Sequence, residues 1–305
     1  MLKKISKQNQ IILFLLLILN LFWPATSSAW VQINSTLKPN PQEKLLQYTF
    51  PSKIELKQKF NTPLSATAYI LIDPLTNQIL IQRNLHQKIY PASITKLATA
   101  ITALNIYPLD ELITIKEEYL EGKVMELQPE ERITVKSLVS ALIVYSANDA
   151  AYTLASHHPN GVPGFVNQMN MLFDKYQIKD THFNNFDGLH AQNHYSTVYD
   201  LAQLGRLAIK NPIILENAKL SELTVTDQDH LYVHELVSTN ELLTQIPELK
   251  GLKTGWTPEA GGCFISYFIL DGHPLISVVA QSEDRFQDTK KIIDWSKKNL
   301  TWKLQ

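Results

Sequence analysis

The sequence has little of what marks several protein classes. Its only cysteine is Cys263, so an intramolecular disulfide is excluded in any compartment. The formal net charge is −1, and no basic excess suggests nucleic acid as a partner. The nine histidines show no His-Glu-x-x-His spacing, so neither a metal nor another cofactor is expected. The apolar run from Ile11 to Trp23 has 13 residues, which is short for a membrane span.

This apolar run is part of a signal-peptide pattern. Lys3, Lys4 and Lys7 precede it, and small residues at 25–29 follow it. Residues 1–29 are therefore predicted to be a signal peptide that directs the chain out of the cytoplasm. Its removal would leave 25 basic and 29 acidic side chains, a formal net charge of −4. An uncleaved leader would instead tether the chain to the membrane.

The rest of the chain is predicted to form one α/β domain of the α+β type. Residues 30–64 are interpreted as a tether and a first packing segment, and residues 65–305 as the main domain. Strands at both ends of a helical middle predict an antiparallel sheet flanked by helices, with an all-helical subdomain inserted. The patterns occur in this order: strands at 66–72 and 78–82 around a turn at 73–77, helices to about residue 210, strands at 220–237 and 253–279, and a helix at 287–299.

Two Ser-x-x-Lys strings occur, and only one has a helical pattern. The string that begins at Ser35 lies in a polar, proline-containing stretch and is set aside. Ser93 heads a run with apolar residues at helical spacing, which predicts the first turn of a buried helix. Lys96 would lie on the same face, with its amine within reach of the serine oxygen. Such a lysine is a base only if its pKa is lowered, and Lys253 is a candidate for the cation that lowers it. An ordinary helix start is the alternative.

The second string, Ser146 to Asn148, interrupts an apolar helical pattern. Ser and Asn favour helix ends because their side chains compete for backbone hydrogen bonds. Two helices are therefore predicted to meet at a turn, with Ser146 and Asn148 facing outward into a cleft. A capped helix break without chemistry is the alternative.

The third string, Lys253 to Gly255, precedes an apolar run that is closed by Asp271 and Gly272. This pattern predicts two strands of a hairpin or meander. Gly255 would let a substrate backbone approach closely. A lysine that blunts an edge strand is the alternative.

The three strings have the order of the motifs of penicillin-binding proteins and related β-lactamases. From about Ser65 to Leu300 the chain resembles the serine D-Ala-D-Ala carboxypeptidases, the low-molecular-weight penicillin-binding proteins. It departs from them at Glu130 and Asn77, where relatives usually have glycine, and at Trp256, where several have histidine. The resemblance also rests on four short segments: Ile89-Tyr90-Pro91, Thr181-His182-Phe183, Asp187-Gly188-Leu189 and Tyr195-Ser196-Thr197.

The resemblance implies a DD-peptidase or β-lactamase-like fold and an acyl-enzyme reaction that releases the terminal D-alanine of peptidoglycan pentapeptides. It implies that Ser93 is the nucleophile and Lys96 its base. Ser146 would pass a proton to the leaving amine, and Asn148 would orient the substrate amide and Lys96. Peptidoglycan stem peptides are the implied partners and β-lactams the implied covalent inhibitors, in the periplasm or cell-wall space.

The resemblance also implies how the substrate is held. Lys253 and Thr254 would bind the terminal carboxylate, next to Gly255. The backbone N–H groups of Ser93 and Trp256 would form the oxyanion hole. Arg285 would be a further carboxylate ligand, although an arginine before a helix is more often part of a surface ion pair.

Two other enzyme activities and one non-catalytic role are alternatives to the carboxypeptidase. A D,D-endopeptidase, which cuts cross-links, is the main alternative, because the chain ends soon after the last predicted helix and Glu259 to Cys263 resembles such enzymes. A class A β-lactamase would need a Glu-x-x-Leu-Asn string between Asn148 and Lys253, and none occurs there. A catalytically silent binder of peptidoglycan or β-lactams would keep the fold, but the intact motif residues argue against it.

Overall fold

The computed structural model describes residues 53–303. The predicted signal peptide at 1–29 and most of the predicted tether at 30–64 lie outside these residues, so both stay predictions. Across the part of the chain that is described, no helix has the length and apolar character needed to cross a bilayer.

The strands form one large sheet and three small ones. Five strands make the central antiparallel sheet in the order β3-β2-β10-β9-β8, so β8 lies at an edge. The pairs β1 with β11, β4 with β5 and β6 with β7 are also antiparallel. The strands are β1 Lys53–Leu56, β2 Ala68–Ile72, β3 Ile79–Arg83, β4 Leu112–Thr114, β5 Arg132–Thr134, β6 Glu222–Thr226, β7 Val233–Val237, β8 Leu249–Thr257, β9 Gly261–Leu270, β10 His273–Ser282 and β11 Leu300–Lys303.

Most helices lie between β3 and β6 in sequence, and the last follows β10. One 3-10 turn, Ala92–Ile94, leads directly into the first helix, and a second, Glu241–Thr244, precedes β8. The α-helices are α1 Thr95–Ile106, α2 Val135–Val144, α3 Asn148–Ser156, α4 Gly161–Lys175, α5 Val198–Ala208, α6 Pro212–Asn217 and α7 Arg285–Asn299.

The central sheet separates two hydrophobic cores. Ile70 and Ile276 belong to the core shared with the helical subdomain. Leu71, the next residue along β2, belongs to the core shared with Ile292 and Ile293 of α7. Alternate residues of a strand face opposite sides, so one apolar strand serves both cores. The predicted antiparallel sheet, flanked by helices and with a helical subdomain inserted, is confirmed.

Two positions that depart from the family pattern have left-handed backbone. The φ angle is +62° at Asn77, in the turn between β2 and β3, and +69° at Glu130, just before β5. Glycine adopts this region without a steric penalty, which accounts for the glycine usual at both positions. Asparagine tolerates the region better than glutamate does.

Candidate active site

Ser93 and Lys96 lie where the 3-10 turn runs into α1. Ser93 is on that turn, so the prediction of the first α-helical turn is wrong by a residue or two. Lys96 Nζ is 3.0 Å from Ser93 Oγ and donates a hydrogen bond to the carbonyl oxygen of Asp187 at 2.7 Å. Lys96 is fully buried, whereas Ser93 is partly exposed. These two hydrogen bonds hold the Lys96 amine next to the Ser93 hydroxyl.

The charge state of Lys96 is set by its surroundings. Burial lowers its pKa to about 8, although the carboxylates of Asp187 and Asp149 act in the opposite direction. The sequence suggested that Lys253 lowers this pKa. In the structure burial lowers the pKa of Lys96. The pKa of Lys253 is lowered by burial first and by the charge of Lys96 second.

Ser146 and Asn148 lie at the turn between α2 and α3. Ser146 has a left-handed φ of +71°, and Asn148 is the first residue of α3. The prediction that both face outward is wrong: the two residues are only 5% and 3% exposed. Asn148 is covered by the segment between β4 and β5, residues 115–131, which we call the covering loop.

The covering loop holds Asn148 through its backbone. Asn148 Nδ2 donates to the carbonyl of Glu121 at 2.8 Å, and Asn148 N donates to the carbonyl of Lys123 at 2.6 Å. The Asp149 carboxylate accepts hydrogen bonds from two backbone N–H groups of the same loop. A Cβ atom at Gly122 would overlap the Asn148 amide. The position of the loop therefore sets the position of Asn148.

The third string lies on the edge strand β8. Lys253 and Thr254 are 1% and 3% exposed. Burial lowers the pKa of Lys253 well below its usual value, and the charges of Lys96, Lys123 and Arg285 lower it further. Several cations thus surround one place on β8, where an incoming carboxylate would relieve their repulsion.

Gly255 packs against the 3-10 turn that carries Ser93. A Cβ atom at position 255 would lie 2.9 Å from the Ser93 nitrogen and 3.1 Å from the Ala92 Cβ. The absent side chain makes room for the protein's own backbone, and not for the substrate backbone as predicted. Trp256, the next residue, is 58% exposed.

Arg285, the first residue of α7, lies beside the third string. A Cβ atom at Gly262 would lie 3.0 Å from the Arg285 Cβ, and Gly262 pairs with Trp256 across β8 and β9. Burial lowers the pKa of Arg285. Its Nε atom is buried and has no hydrogen-bond partner within residues 53–303. The guanidinium therefore lies near Lys253, and its Nε–H group can donate a hydrogen bond to a ligand.

Two sets of hydrogen bonds beside Ser93 and Lys96 involve residues to which the sequence assigns no specific role. The Asp187 carboxylate accepts a hydrogen bond from the Tyr119 hydroxyl at 2.9 Å, while the Asp187 carbonyl holds Lys96. His194 Nδ1 accepts from a backbone N–H, so its Nε2 donates to Thr95 Oγ1 at 2.8 Å. Burial lowers the pKa of His194 to about 4 and keeps it neutral. Family resemblance around Asp187 and near His194 was the available signal; nothing in the sequence marks Tyr119.

Known proteins match this chain in sequence and in structure. The profile of the D-alanyl-D-alanine carboxypeptidase family matches residues 55–284. D-alanyl-D-alanine carboxypeptidase DacD of Salmonella typhimurium is 31% identical over 263 residues, 78% of this chain and 64% of that protein. A D-alanyl-D-alanine endopeptidase of Pseudomonas aeruginosa is 28% identical over 240 residues, 76% of this chain and 77% of that protein. The crystal structure of the Streptomyces K15 DD-transpeptidase matches with a TM-score of 0.73 at 26% identity, over 77% of this chain and 98% of that chain.

The family profile spans all three motif strings, the helices between β3 and β6, and all five strands of the central sheet. The chain itself spans 64% of the length of the DacD relative. The profile covers well over half of the 305 residues. The chain belongs to the D-alanyl-D-alanine carboxypeptidase family.

Proposed function

We propose that this chain is a serine D-Ala-D-Ala carboxypeptidase that acts outside the cytoplasm on peptidoglycan pentapeptides and is acylated by β-lactams. The observation that supports this most is the buried Lys96, with Nζ 3.0 Å from Ser93 Oγ and a pKa lowered to about 8. A serine hydroxyl needs a base within hydrogen-bond reach, and a lysine with this pKa is partly unprotonated near neutral pH.

The reaction has two halves. Lys96 takes the proton of Ser93 as Oγ attacks the carbonyl carbon of the penultimate D-Ala. The C–N bond then breaks as Ser146 passes its proton to the nitrogen of the departing D-Ala and takes the proton that Lys96 had accepted. This leaves an ester on Ser93 and an unprotonated Lys96. Water attacks that ester, gives its proton to Lys96, and the tetrapeptide leaves as Ser93 regains a proton.

The oxyanion would be stabilised by the backbone N–H groups of Ser93 and Trp256. The close packing of Gly255 on the Ser93 nitrogen supports this, because it brings β8 next to the nucleophile turn. Each donor of such a hole contributes about 3 kcal/mol in comparable enzymes.

The terminal carboxylate would bind Lys253, Thr254 and Arg285. Arg285→Ala is therefore expected to lower kcat/KM for D-Ala release about tenfold or more, because a charge-assisted hydrogen bond is lost. Steady-state kinetics on a pentapeptide measures this, with exposed Arg83→Ala as the matched control. An unchanged kcat/KM would remove Arg285 from the carboxylate site.

The test of the function separates carboxypeptidase from endopeptidase. Residues 30–305 are incubated with pentapeptide monomers and with cross-linked dimers, with Ser93→Ala as the blank, and the products are identified by mass spectrometry. Loss of one D-Ala from the monomers is expected. Cleavage of dimers with intact pentapeptides would support the endopeptidase instead, an alternative favoured by the relative of that name. No product and no penicillin adduct would indicate a silent binder.

The pH dependence of acylation follows from the pKa of Lys96. Because only unprotonated Lys96 can act as base, acylation is expected to rise with pH up to about 8 and then level. The Asp187 carboxylate raises the Lys96 pKa, so Asp187→Asn is expected to lower that pKa and move the rise to lower pH. The rate of acylation by a fluorescent penicillin between pH 5 and 9 measures both.

The matched control for this shift is Asp174→Asn, an exposed carboxylate away from the site. This variant is expected to keep the wild-type profile. A profile of Asp187→Asn that rises at the same pH as the wild type would show that the Lys96 pKa does not control acylation.

A further inference from the structure

His234, on β7, makes two buried hydrogen bonds to the covering loop. Its Nδ1 is 2.8 Å from the carbonyl oxygen of Met125, and its Nε2 is 2.8 Å from Oε1 of Glu131. Glu131 is 1% exposed and also accepts a hydrogen bond from a backbone N–H of the loop. The ring therefore joins the hairpin of β6 and β7 to the loop that holds Asn148.

These contacts require a proton that a neutral ring beside a carboxylate does not have. A carbonyl oxygen only accepts, so Nδ1 must carry hydrogen. An ionised Glu131 also only accepts, so Nε2 must carry a second hydrogen, or the Glu131 carboxyl must carry it. When that proton is lost, the Nε2 lone pair faces a carboxylate at 2.8 Å, and the contact becomes repulsive.

The charged groups around the ring raise the pKa of His234. The hydrogen bond to Glu131 is the largest cause that raises the pKa of His234, burial opposes it, and Asp149 at the start of α3 adds to the rise. Val225 faces His234 across the hairpin and carries no charge. Arg132, next to Glu131, is paired with Asp229.

The covering loop links this contact to the candidate catalytic residues. The same loop accepts hydrogen bonds from Asn148 and donates two to Asp149. Met125 takes part in both sets, because its carbonyl holds His234 and its N–H holds Asp149. Met125 therefore connects His234 to the first turn of α3 through two hydrogen bonds.

We propose that His234 and Glu131 share a proton and act as positioning residues for Asn148, so that activity falls as the pair loses that proton. This inference rests on the proposed function for its effect on turnover. The positioning itself concerns residues 115–131 and the start of α3, and it can be observed without any substrate.

The decisive variant is Glu131→Gln. A glutamine amide can donate to Nε2 of a neutral ring, so the contact no longer needs the extra proton. The ratio of kcat/KM for D-Ala release, Glu131→Gln over wild type, is measured from pH 6 to 9. This ratio cancels the titrations of Lys96 and Lys253, which both proteins share. We expect it to rise about tenfold through the pKa of His234, which NMR measures from its ring proton.

Two further measurements make the outcome unambiguous. Glu235→Gln, an exposed carboxylate next to His234 on β7, is the matched control and should give a flat ratio. The NMR resonance of the Asn148 backbone amide should shift with the His234 titration in the wild type, and not in Glu131→Gln. A flat ratio for Glu131→Gln, or an Asn148 resonance that ignores His234, would overturn the proposal. If D-Ala is not released at all but the Asn148 resonance follows His234, the proposed function fails and the positioning role stands.

Discussion

Ser93→Ala and Lys96→Met are each expected to lower the rates of D-Ala release and of β-lactam acylation about 10⁴-fold or more. Alanine offers no nucleophile. Methionine fills the space of the lysine stem but cannot take a proton. Because Lys96 acts through Ser93, at 3.0 Å, the double variant is expected to be no slower than the slower single variant.

Acylation by a fluorescent penicillin, followed to a covalent adduct by mass spectrometry, measures this expectation. Lys179→Met, which removes an exposed lysine, is the matched control. The melting temperature of Lys96→Met should not fall, because burial of an ammonium group is itself costly. If Lys96→Met kept more than about one hundredth of the wild-type rate, another group would have to be the base.

Gly188→Ala is expected to destabilise the fold and to misplace the nucleophile. Gly188 has a φ of +87°, and a Cβ atom there would overlap the Ala92 carbonyl oxygen and lie 2.9 Å from Thr95 Oγ1. Strain of this kind costs about 3 kcal/mol or more, which lowers the melting temperature by about 10 °C in a domain of this size. Since Ala92 and Thr95 flank Ser93, acylation is expected to fall at least about 100-fold.

Gly272→Ala is the matched control for Gly188→Ala. Gly272 has a similar φ of +82°, but a Cβ atom there has no neighbour within 4 Å. Its melting temperature should fall by only a few degrees, and its acylation rate should not change. Equal losses in both variants would mean that backbone strain, and not the contact with the nucleophile turn, explains the effect.

Sequence reasoning succeeded where the chemistry lies within one short segment. Ser93 and Lys96 are three residues apart, so the periodicity of the helix that follows was enough to place one beside the other. The order of strands and helices can be predicted for the same reason, because the spacing of apolar residues is a local property of the sequence. The turn between α2 and α3 is predicted from the preference of Ser146 and Asn148 for helix ends.

Sequence reasoning failed where distant segments meet. The carbonyl that holds Lys96 belongs to Asp187, 91 residues away, and local patterns contain no trace of that contact. The sequence predicts that a substrate backbone approaches Gly255, because it does not show that the turn with Ser93 packs there. The sequence predicts that Asn148 faces outward, because nothing in its own segment indicates that residues 115–131 cover it.

The pairing of β1 with β11 places residues 53 and 303 opposite each other. The described fold is therefore a nearly closed loop of chain whose two ends are neighbours. In such a topology the order in which the motifs are met depends on where the loop happens to be open. The order of Ser93, Ser146 and Lys253 along the chain is thus a matter of connectivity, whereas their proposed chemistry depends on where the fold brings them together.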